Sequence, residues 1–221
     1  MTPLPARLLK SDIPKIYRFI APVHDWLAAL VASRARRLKL EWANIQDGES
    51  VLEVAVGTGL SFRQVLRSNP NGRNAGVDLS PAMLRRARKR AERIGGQCEL
   101  AVGDAYALDF PDNTFDVLLN SYMIDQLPEQ DFEPVLREFR RVLRPYGRLV
   151  QINMTIGQKP YHRLWECLYC LHPALLGGCR GVEMASCFER AGFTGIRRAY
   201  ISQCAFPSEV VIGIKPGKDL E

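Results

Sequence analysis

The sequence predicts an α/β fold with a Rossmann-like, doubly wound sheet of seven strands, mostly parallel and with a C-terminal antiparallel hairpin strand. Two observations predict this class. Short apolar runs alternate with amphipathic helical stretches between residues 50 and 153, an order typical of parallel sheets that are covered by helices. The first apolar run is also followed at once by a glycine turn and a helix, which form the first half of a nucleotide-binding βαβ unit.

Length and composition fit one soluble domain. The chain has 221 residues, of which 47% are hydrophobic and 24% charged, and domains commonly span about 50–250 residues. No apolar run approaches the ~20 residues that a membrane-spanning helix needs. The six cysteines are spread through a chain large enough to fold without disulfides, so we expect reduced thiols and a cytoplasmic protein. Cys167 and Cys170 have metal-ligand spacing, but no second pair matches them, and we predict no metal site.

Most of the positive charge lies in an N-terminal arm. The net charge is +6, and residues 1–43 carry +5 of it. This basic arm is a candidate for peripheral contact with an anionic membrane or with an acidic substrate. A solvated helix face is the more common reason for such charges, so both interpretations stay open.

The arm is predicted to contain two helical pieces. Residues 1–15 include several prolines and are expected to be extended. The pattern from Ile16 to Leu40 indicates helix on each side of Ala21–Pro22, because proline interrupts helical hydrogen bonding. Basic residues end the second piece, where they suit the negative end of the helix dipole.

The stretch Ser50–Leu60 organises the predicted sheet. Its apolar strand leads into Gly57 and Gly59, where the chain can turn tightly and offer bare backbone to a ligand. Phe62 stands where a dinucleotide-binding fingerprint has its third glycine. Glu53, just before the turn, would repel a pyrophosphate, whereas it suits the ammonium and sulfonium groups of S-adenosylmethionine. The charge therefore favours S-adenosylmethionine, with a dinucleotide as the alternative.

The next two predicted strands also end in carboxylates. Asp78 follows the glycine turn by about 20 residues, where a Rossmann-like unit places the acid that accepts hydrogen bonds from ribose hydroxyls. Asp104 can accept a hydrogen bond from an exocyclic amine such as that of adenine. Between them, Ser80 and Pro81 are the N-cap and first residue of a helix whose outer face is basic. Because no aromatic side chains separate the basic ones, nucleic-acid binding is not favoured.

The rest of the chain continues the alternation and then breaks it. Region 155–181 is rich in aromatic residues and cysteine and contains Gly177–Gly178. At the ligand edge of a sheet it is either a lid over a substrate pocket or an extra packing helix. The predicted strands lie at 50–56, 74–80, 98–105, 115–122, 148–153, 196–204 and 209–214, and further helices at 83–94, 131–143 and 182–191.

Five blocks of this sequence resemble class I S-adenosylmethionine-dependent methyltransferases, and within them the ubiquinone/menaquinone biosynthesis C-methyltransferase-like group. The blocks occur in the order and spacing of that family and span about half of the chain, as the family's nucleotide-binding half requires. They are Val51–Gly59, Gly76–Leu84, Gly103–Ala105, Phe110–Asp116 and Arg140–Leu149. Ala55 stands where the family more often has the first glycine of the loop.

The resemblance implies S-adenosylmethionine as cofactor, S-adenosylhomocysteine as product, and a set of residues that hold them. It also implies that residues 1–46 form a helical arm over the cofactor, that 47–221 form the methyltransferase domain, and that 155–181 form its lid or substrate insertion. The implied cofactor-binding residues are Tyr17 in the arm, Glu53, Gly57 and Gly59 at the methionine end, Asp78 and Leu79 at the ribose, Met83, Gly103, Asp104 and Ala105 at the adenine, and Asn120 on the floor.

Methyl transfer from a sulfonium is an in-line displacement, so the enzyme mainly supplies alignment and desolvation. A base is needed only where the acceptor must lose a proton. The candidates are His24, Tyr122 and Asp125, followed by Asp25 and His162.

The aromatic insertion and the basic arm favour a small apolar or lipid-like acceptor, with a quinone-type ring preferred. The alternatives are a phospholipid N-methyltransferase, a non-catalytic adenosyl-ligand-binding protein and, less favoured, an arsenite methyltransferase.

Overall fold

A seven-stranded sheet forms the centre of the molecule, as the sequence predicts. The structure is a computed structural model that describes residues 4–6, 13–172 and 177–217, without the side chains of 13–25, 27 and 28. The strands are β1 Ser50–Val54, β2 Arg73–Asp78, β3 Glu99–Val102, β4 Phe115–Ser121, β5 Leu143–Met154, β6 Thr194–Gln203 and β7 Phe206–Ile214. The strand order is β3-β2-β1-β4-β5-β7-β6, and β7 runs in the opposite direction to the other six strands.

Helices cover both faces of the sheet, and the alternation of side chains along each strand separates two cores. Leu52 of β1 faces the core formed with α4 and α6, while its neighbour Val51 faces the core formed with α1, α2 and α3. The α-helices are α1 Ile13–Ala43, α2 Phe62–Ser68, α3 Pro81–Glu92, α4 Phe132–Val142, α5 Arg163–Leu171 and α6 Ala185–Arg190. Short 3₁₀ turns span Ile124–Gln126, Glu129–Asp131 and Pro160–His162.

The N-terminal arm differs from its prediction. It forms one helix, α1, which continues through Pro22 where the sequence predicted a break. Val31, Ala32, Ala35 and Ala43 of this helix are buried, and α1 packs on β5, β6 and β7. This burial offsets the loss of one hydrogen bond at the proline, because helices in proteins are stabilised mainly by tertiary packing.

The C-terminal hairpin is tighter than predicted. β6 and β7 are joined by Cys204 and Ala205 alone, whose φ angles are 51° and 58°. Two successive left-handed residues are characteristic of the two-residue turns that match strand twist. Such turns usually contain Asn or Gly, so this sequence carried no signal for one.

A buried carboxylate fixes the hairpin to the rest of the sheet. Glu209 of β7 accepts hydrogen bonds from Asn153 Nδ2 (3.0 Å) and from the Met184 N–H (2.8 Å). Arg198 of β6 forms an ion pair with the same carboxylate and also contacts Glu183 at 2.8 Å. The network therefore joins β5, β6 and β7 to the segment that precedes α6.

Candidate functional site

A pocket opens at the carboxyl ends of β1, β2 and β4, where doubly wound sheets bind ligands. Arg36 of α1 lines the pocket, as do Gln126 and Leu127 of the turn after β4. Eight residues singled out from the sequence line it: Glu53, Gly57, Asp78, Leu79, Gly103, Asp104, Ala105 and Tyr122.

The glycine turn shapes the floor of this pocket. Gly57 has a φ of 57°, and a Cβ placed on it would point into open space, with its nearest neighbour, the Ala55 carbonyl oxygen, 4.0 Å away. Gly59 has a different role, because a Cβ there would lie 3.2 Å from Ala87 of α3. Ala55 itself has a φ of 57°, a left-handed conformation that costs an alanine about 1–2 kcal/mol. This strain, rather than side-chain size, is the consequence of having alanine at a position where the family resemblance leads us to expect glycine.

Glu53 is paired, which the sequence did not predict. Lys39 of α1 is fully buried and donates hydrogen bonds to Glu53 Oε1 (2.8 Å) and to Ser121 Oγ (2.9 Å). Burial lowers the pKa of Lys39, although the Glu53 carboxylate opposes this shift. The other carboxylate oxygen, Glu53 Oε2, is buried and has no hydrogen-bond partner. One oxygen of Glu53 therefore holds α1 while the other remains available on the pocket wall.

The carboxylates at the ends of β2 and β3 also order the loops around the pocket. Asp78 accepts hydrogen bonds from the N–H groups of Gly57 and Ser80, both at 2.8 Å. Asp104 accepts one from the Tyr106 N–H at 3.1 Å. Each carboxylate oxygen carries a second lone pair, so both acids can hold these loops and still accept a hydrogen bond from a ligand.

Other predicted site residues lie elsewhere. Met83 is buried at the start of α3, where its N–H bonds to Ser80 Oγ. Asn120 is fully buried in β4 and donates to the Val54 carbonyl at 3.0 Å, while its Oδ1 has no partner. Neither lines the pocket. The side chains of Tyr17, His24 and Asp25 lie outside the described residues.

Tyr122 follows β4 in a strained conformation. Its φ of 51° is unusual for an aromatic residue and is the kind of backbone strain found at functional sites. The hydroxyl lies 2.8 Å from Ser208 Oγ on β7, and burial raises the pKa of Tyr122. Tyr122 therefore lines the pocket, and the raised pKa favours a protonated hydroxyl at neutral pH. Its role as a base stays a prediction.

Behind the pocket wall lies a buried polar cluster formed by Asp125, Cys179 and Arg180. Asp125 is fully buried, and its Oδ2 accepts a hydrogen bond from the Met154 N–H at 2.8 Å. Burial raises the pKa of Asp125 to about 7, with Arg180 opposing the shift. Arg180 is 1% exposed and donates through Nη2 to the Leu127 carbonyl, in the pocket wall. Sequence patterns had not singled out Arg180.

Three polar atoms of this cluster make no hydrogen bond of ordinary geometry: Asp125 Oδ1, Arg180 Nε and Arg180 Nη1. The Cys179 thiol is nevertheless close enough to the Asp125 carboxylate to lower its pKa. Buried polar groups are almost always hydrogen-bonded, and an unpaired buried charge is costly. These atoms therefore suit a ligand group that offers both a proton and an oxygen acceptor.

His162 acts as a structural clamp. Its Nδ1 accepts a hydrogen bond from the Lys159 N–H (2.9 Å), so the proton of the neutral ring lies on Nε2, which is 3.1 Å from Ser202 Oγ. The ring is 1% exposed, and burial lowers the pKa of His162, aided by Lys159. His162 does not line the pocket, and its role is to fix the start of α5 on β6.

This clamp predicts a pH dependence of stability. The pKa of His162 is lower in the folded than in the unfolded chain. Its contribution to the free energy of unfolding is therefore complete above the unfolded pKa of about 6.5. It is lost as the pH falls below that value, by at most about 1.4 kcal/mol per pH unit. We expect His162→Gln to reduce this slope in urea-unfolding measurements between about pH 7.5 and 5.5, whereas His172→Gln, at an exposed histidine, keeps it. Equal slopes for the two variants would show that His162 does not titrate in this way.

The pocket fits the cofactor that the sequence indicates. Glu53 Oε2 is a buried, unpartnered acceptor for an ammonium group, and the open space at Gly57 allows a ligand to approach the backbone. Arg36 lies in the same wall and matches the carboxylate that a methionine end also carries. The charge argument from Glu53 alone had omitted that second group. Among the described residues, no three His, Cys, Asp or Glu side chains form a group that could hold a metal ion.

Comparisons with known proteins identify relatives along most of the chain. A family model described as "Methyltransferase domain" matches residues 51–147. The chain is 31% identical to a demethylmenaquinone methyltransferase of Listeria monocytogenes, over 93% of this chain and 96% of that protein. It is 35% identical to a ubiquinone/menaquinone biosynthesis C-methyltransferase of Roseobacter denitrificans, over 63% of this chain and 58% of that protein.

Solved structures share the fold at low sequence identity. The [4+2]-cyclase SpnF has a TM-score of 0.74 and 17% identity, over 97% of this chain and 99% of SpnF. Phosphoethanolamine N-methyltransferase 2 of Haemonchus contortus, solved with S-adenosylhomocysteine, has a TM-score of 0.67 and 16% identity, over 84% of this chain and 53% of that one. Within the described part of the chain, no helix has the length and apolarity needed to cross a bilayer.

Proposed function

Because this chain belongs to the class I S-adenosylmethionine-dependent methyltransferases, we propose that it methylates a quinol-type ring, a phenolic acceptor with an apolar substituent. The observation that carries this proposal is the pair of buried, incompletely bonded side chains behind the pocket wall. Asp125 Oδ1 can take a proton there, and Arg180 Nε and Nη1 can donate to an oxygen. A phenolic hydroxyl that ionises needs both a base for its proton and a hydrogen-bond donor for its oxygen.

The cofactor would lie along the pocket residues already described. Glu53 Oε2 and Arg36 would bind the charged methionine end, Asp78 the ribose hydroxyls, and Asp104 with Ala105 the adenine. When bound, S-adenosylmethionine supplies an activated methyl group on a cationic sulfur. The chain itself contributes orientation and exclusion of water, since these account for most of the rate of such a displacement.

Proton handling at the acceptor would fall to Asp125 and Arg180. A ring carbon becomes a better nucleophile when the neighbouring hydroxyl ionises, and a positioned base promotes that step. Asp125 Oδ1 would receive the proton from the hydroxyl oxygen, while the Arg180 guanidinium would stabilise the oxygen that remains. Once the ring carbon has taken the methyl group and the carbon–sulfur bond has broken, the hydrogen on that carbon would leave as a proton to solvent and its electron pair would restore the aromatic ring. The oxygen would then take a proton back from Asp125. Gln126 and Leu127 line the pocket, whereas Asp125 and Arg180 do not. The 124–127 turn would therefore have to shift for the ring to reach Asp125 and Arg180.

The named relatives support the same acceptor class. The demethylmenaquinone methyltransferase of Listeria monocytogenes matches nearly the full length of this chain, and the Roseobacter denitrificans relative is also named for quinone biosynthesis. The phosphoethanolamine enzyme shares only the fold. A lipid-like acceptor with an apolar tail would suit the aromatic side chains near the rim, where Trp165 packs against Phe206.

The test is transfer of a labelled methyl group. The full chain is incubated with methyl-labelled S-adenosylmethionine and, in parallel, a short-chain demethylated quinol kept reduced, phosphoethanolamine, and phosphatidylethanolamine. We expect label on a ring carbon of the quinol and at least about 100-fold less on either amine, because neither amine offers the phenolic group that needs a base. Label on the amines alone would overturn the proposal. Tight binding of S-adenosylhomocysteine with no labelled product would favour a protein that binds the ligand without catalysis.

A further inference from the structure

Helix α5 has large apolar side chains on its exposed face, beside Arg163, as well as on its inner face. Trp165 and Tyr169 point inward, and Trp165 packs against Phe206 with ring centroids 5.1 Å apart. Leu164 and Leu171, seven residues apart and therefore on one stripe, are 59% and 77% exposed. A contiguous exposed apolar patch marks a surface that a membrane or another molecule can cover. The stripe formed by Leu164 and Leu171 is such a surface, on a helix that also carries the exposed Arg163 and the partly exposed Glu166.

Helix α1 adds a second exposed apolar stripe that leads into basic residues. Trp26 and Leu30 are one turn apart and are 71% and 44% exposed. Arg34 and Arg37 follow on the exposed surface of the next two turns. Tryptophan and leucine beside arginine are the composition of helices that lie in the interface of a bilayer.

The two stripes lie beside each other at the rim of the pocket. Val31 and Ala32 of α1 share one cluster with Trp165 of α5 and with Phe206, at the start of β7. The Gln203 side chain in the neighbouring hairpin donates to the Leu30 carbonyl at 2.6 Å, which fixes α1 there. Tyr122, a pocket residue, packs against Phe206 with ring centroids 6.0 Å apart. Apolar side chains thus continue from the exposed stripes to the pocket.

We propose that the outer faces of α1 and α5, defined by Trp26, Leu30, Leu164 and Leu171, dock onto an anionic lipid bilayer. Charge complementarity selects this occupant, because Arg34 and Arg37 are exposed on the same helix as Trp26 and Leu30 and each basic residue near an anionic membrane surface adds to binding. The proposal rests on the proposed function in one respect: a lipid-like acceptor dissolved in the bilayer would enter the pocket at this rim.

The test is sedimentation of the full chain with vesicles of phosphatidylcholine alone or mixed with phosphatidylglycerol. We expect binding to the anionic vesicles only, weakening as salt is added. Trp26→Ser combined with Leu164→Ser is expected to lower the partition coefficient at least about 10-fold, and Arg34→Gln with Arg37→Gln to reduce the salt-sensitive part. Tyr146→Ser, at a side chain that is 65% exposed at the opposite end of β5, serves as the matched control and is expected to bind like the wild type.

Two results would overturn the docking proposal. The first is no binding to either kind of vesicle. The second is a wild-type protein that is a dimer in light scattering and a Trp26→Ser/Leu164→Ser variant that is a monomer, with neither protein bound to vesicles. The second result would assign the surface to another copy of this chain. Methylation of a soluble short-chain quinol separates this inference from the proposed function. Vesicle binding without turnover on any quinol would support the docking proposal and contradict the proposed acceptor. Turnover on the quinol without vesicle binding would support the acceptor and contradict docking.

Discussion

Replacing Lys39 by methionine is expected to lower the free energy of unfolding by about 3–5 kcal/mol, the usual effect of removing one partner of a buried ion pair. Lys39 is fully buried, and the Glu53 side chain is 3% exposed. Methionine fills a similar volume but leaves the Glu53 carboxylate without a counter-ion and Ser121 Oγ without its donor. The cost arises from the charge left behind, not from lost packing.

Urea unfolding at about pH 7.5 measures this effect, with two further variants to identify its cause. Lys89→Met changes an exposed lysine of α3 and is expected to shift stability by no more than about 0.5 kcal/mol. Lys39→Met combined with Glu53→Gln removes both charges and should recover most of the loss, because a buried ion pair is often worth little more than a neutral pair of the same shape. If the single variant were as stable as the wild type, Glu53 would not depend on Lys39.

The Lys39–Glu53 pair also shows which features of the site the sequence could predict and which it could not. The sheet, the glycine turn and the acids near the carboxyl ends of β1, β2 and β3 follow from local patterns, since strand, turn and helix signals are read over a few neighbouring residues. Glu53 was predicted at the cofactor site for that reason. Lys39 could not be predicted as the partner of Glu53, because the two side chains come together only when α1 packs on the sheet.

Other differences have the same origin. Helix α1 continues through Pro22 because of its burial against the sheet. Nothing in the sequence separates Arg180 from the other arginines, because it contacts the Leu127 carbonyl only in the folded chain. The left-handed conformations of Ala55 and Tyr122 are likewise imposed by the surrounding structure. Asp125 could be proposed from residue type and position, but its unpaired oxygen is visible only in three dimensions.

The largest kinetic effect is expected at Asp125. If Asp125 Oδ1 receives the acceptor's proton, Asp125→Asn should reduce kcat by about 10²–10⁴-fold, the usual contribution of a positioned general base. Asparagine has the same shape and its Oδ1 can still accept the hydrogen bond from the Met154 N–H, so the fold around β5 is retained. Because Asp125 does not line the cofactor pocket, the affinity for S-adenosylhomocysteine should change little. Calorimetry and single-turnover methyl transfer to the quinol separate these two quantities.

The pH profile distinguishes a base from a residue that only supports the wall. The pKa of Asp125 is raised to about 7, and a base acts only when deprotonated, so kcat/KM of the wild type should rise with pH and level off above about 7. In the Asp125→Asn variant, the rate should be lower and this rise of kcat/KM with pH should disappear. Glu129→Gln is the matched control, because Glu129 is an exposed carboxylate that also acts electrostatically on Arg180, and it should keep both rate and profile. If the Asp125→Asn enzyme were slow but its kcat/KM still rose with pH as in the wild type, another residue would be the base. Asp125 would then have only a structural role, as the acceptor of the hydrogen bond from the Met154 N–H.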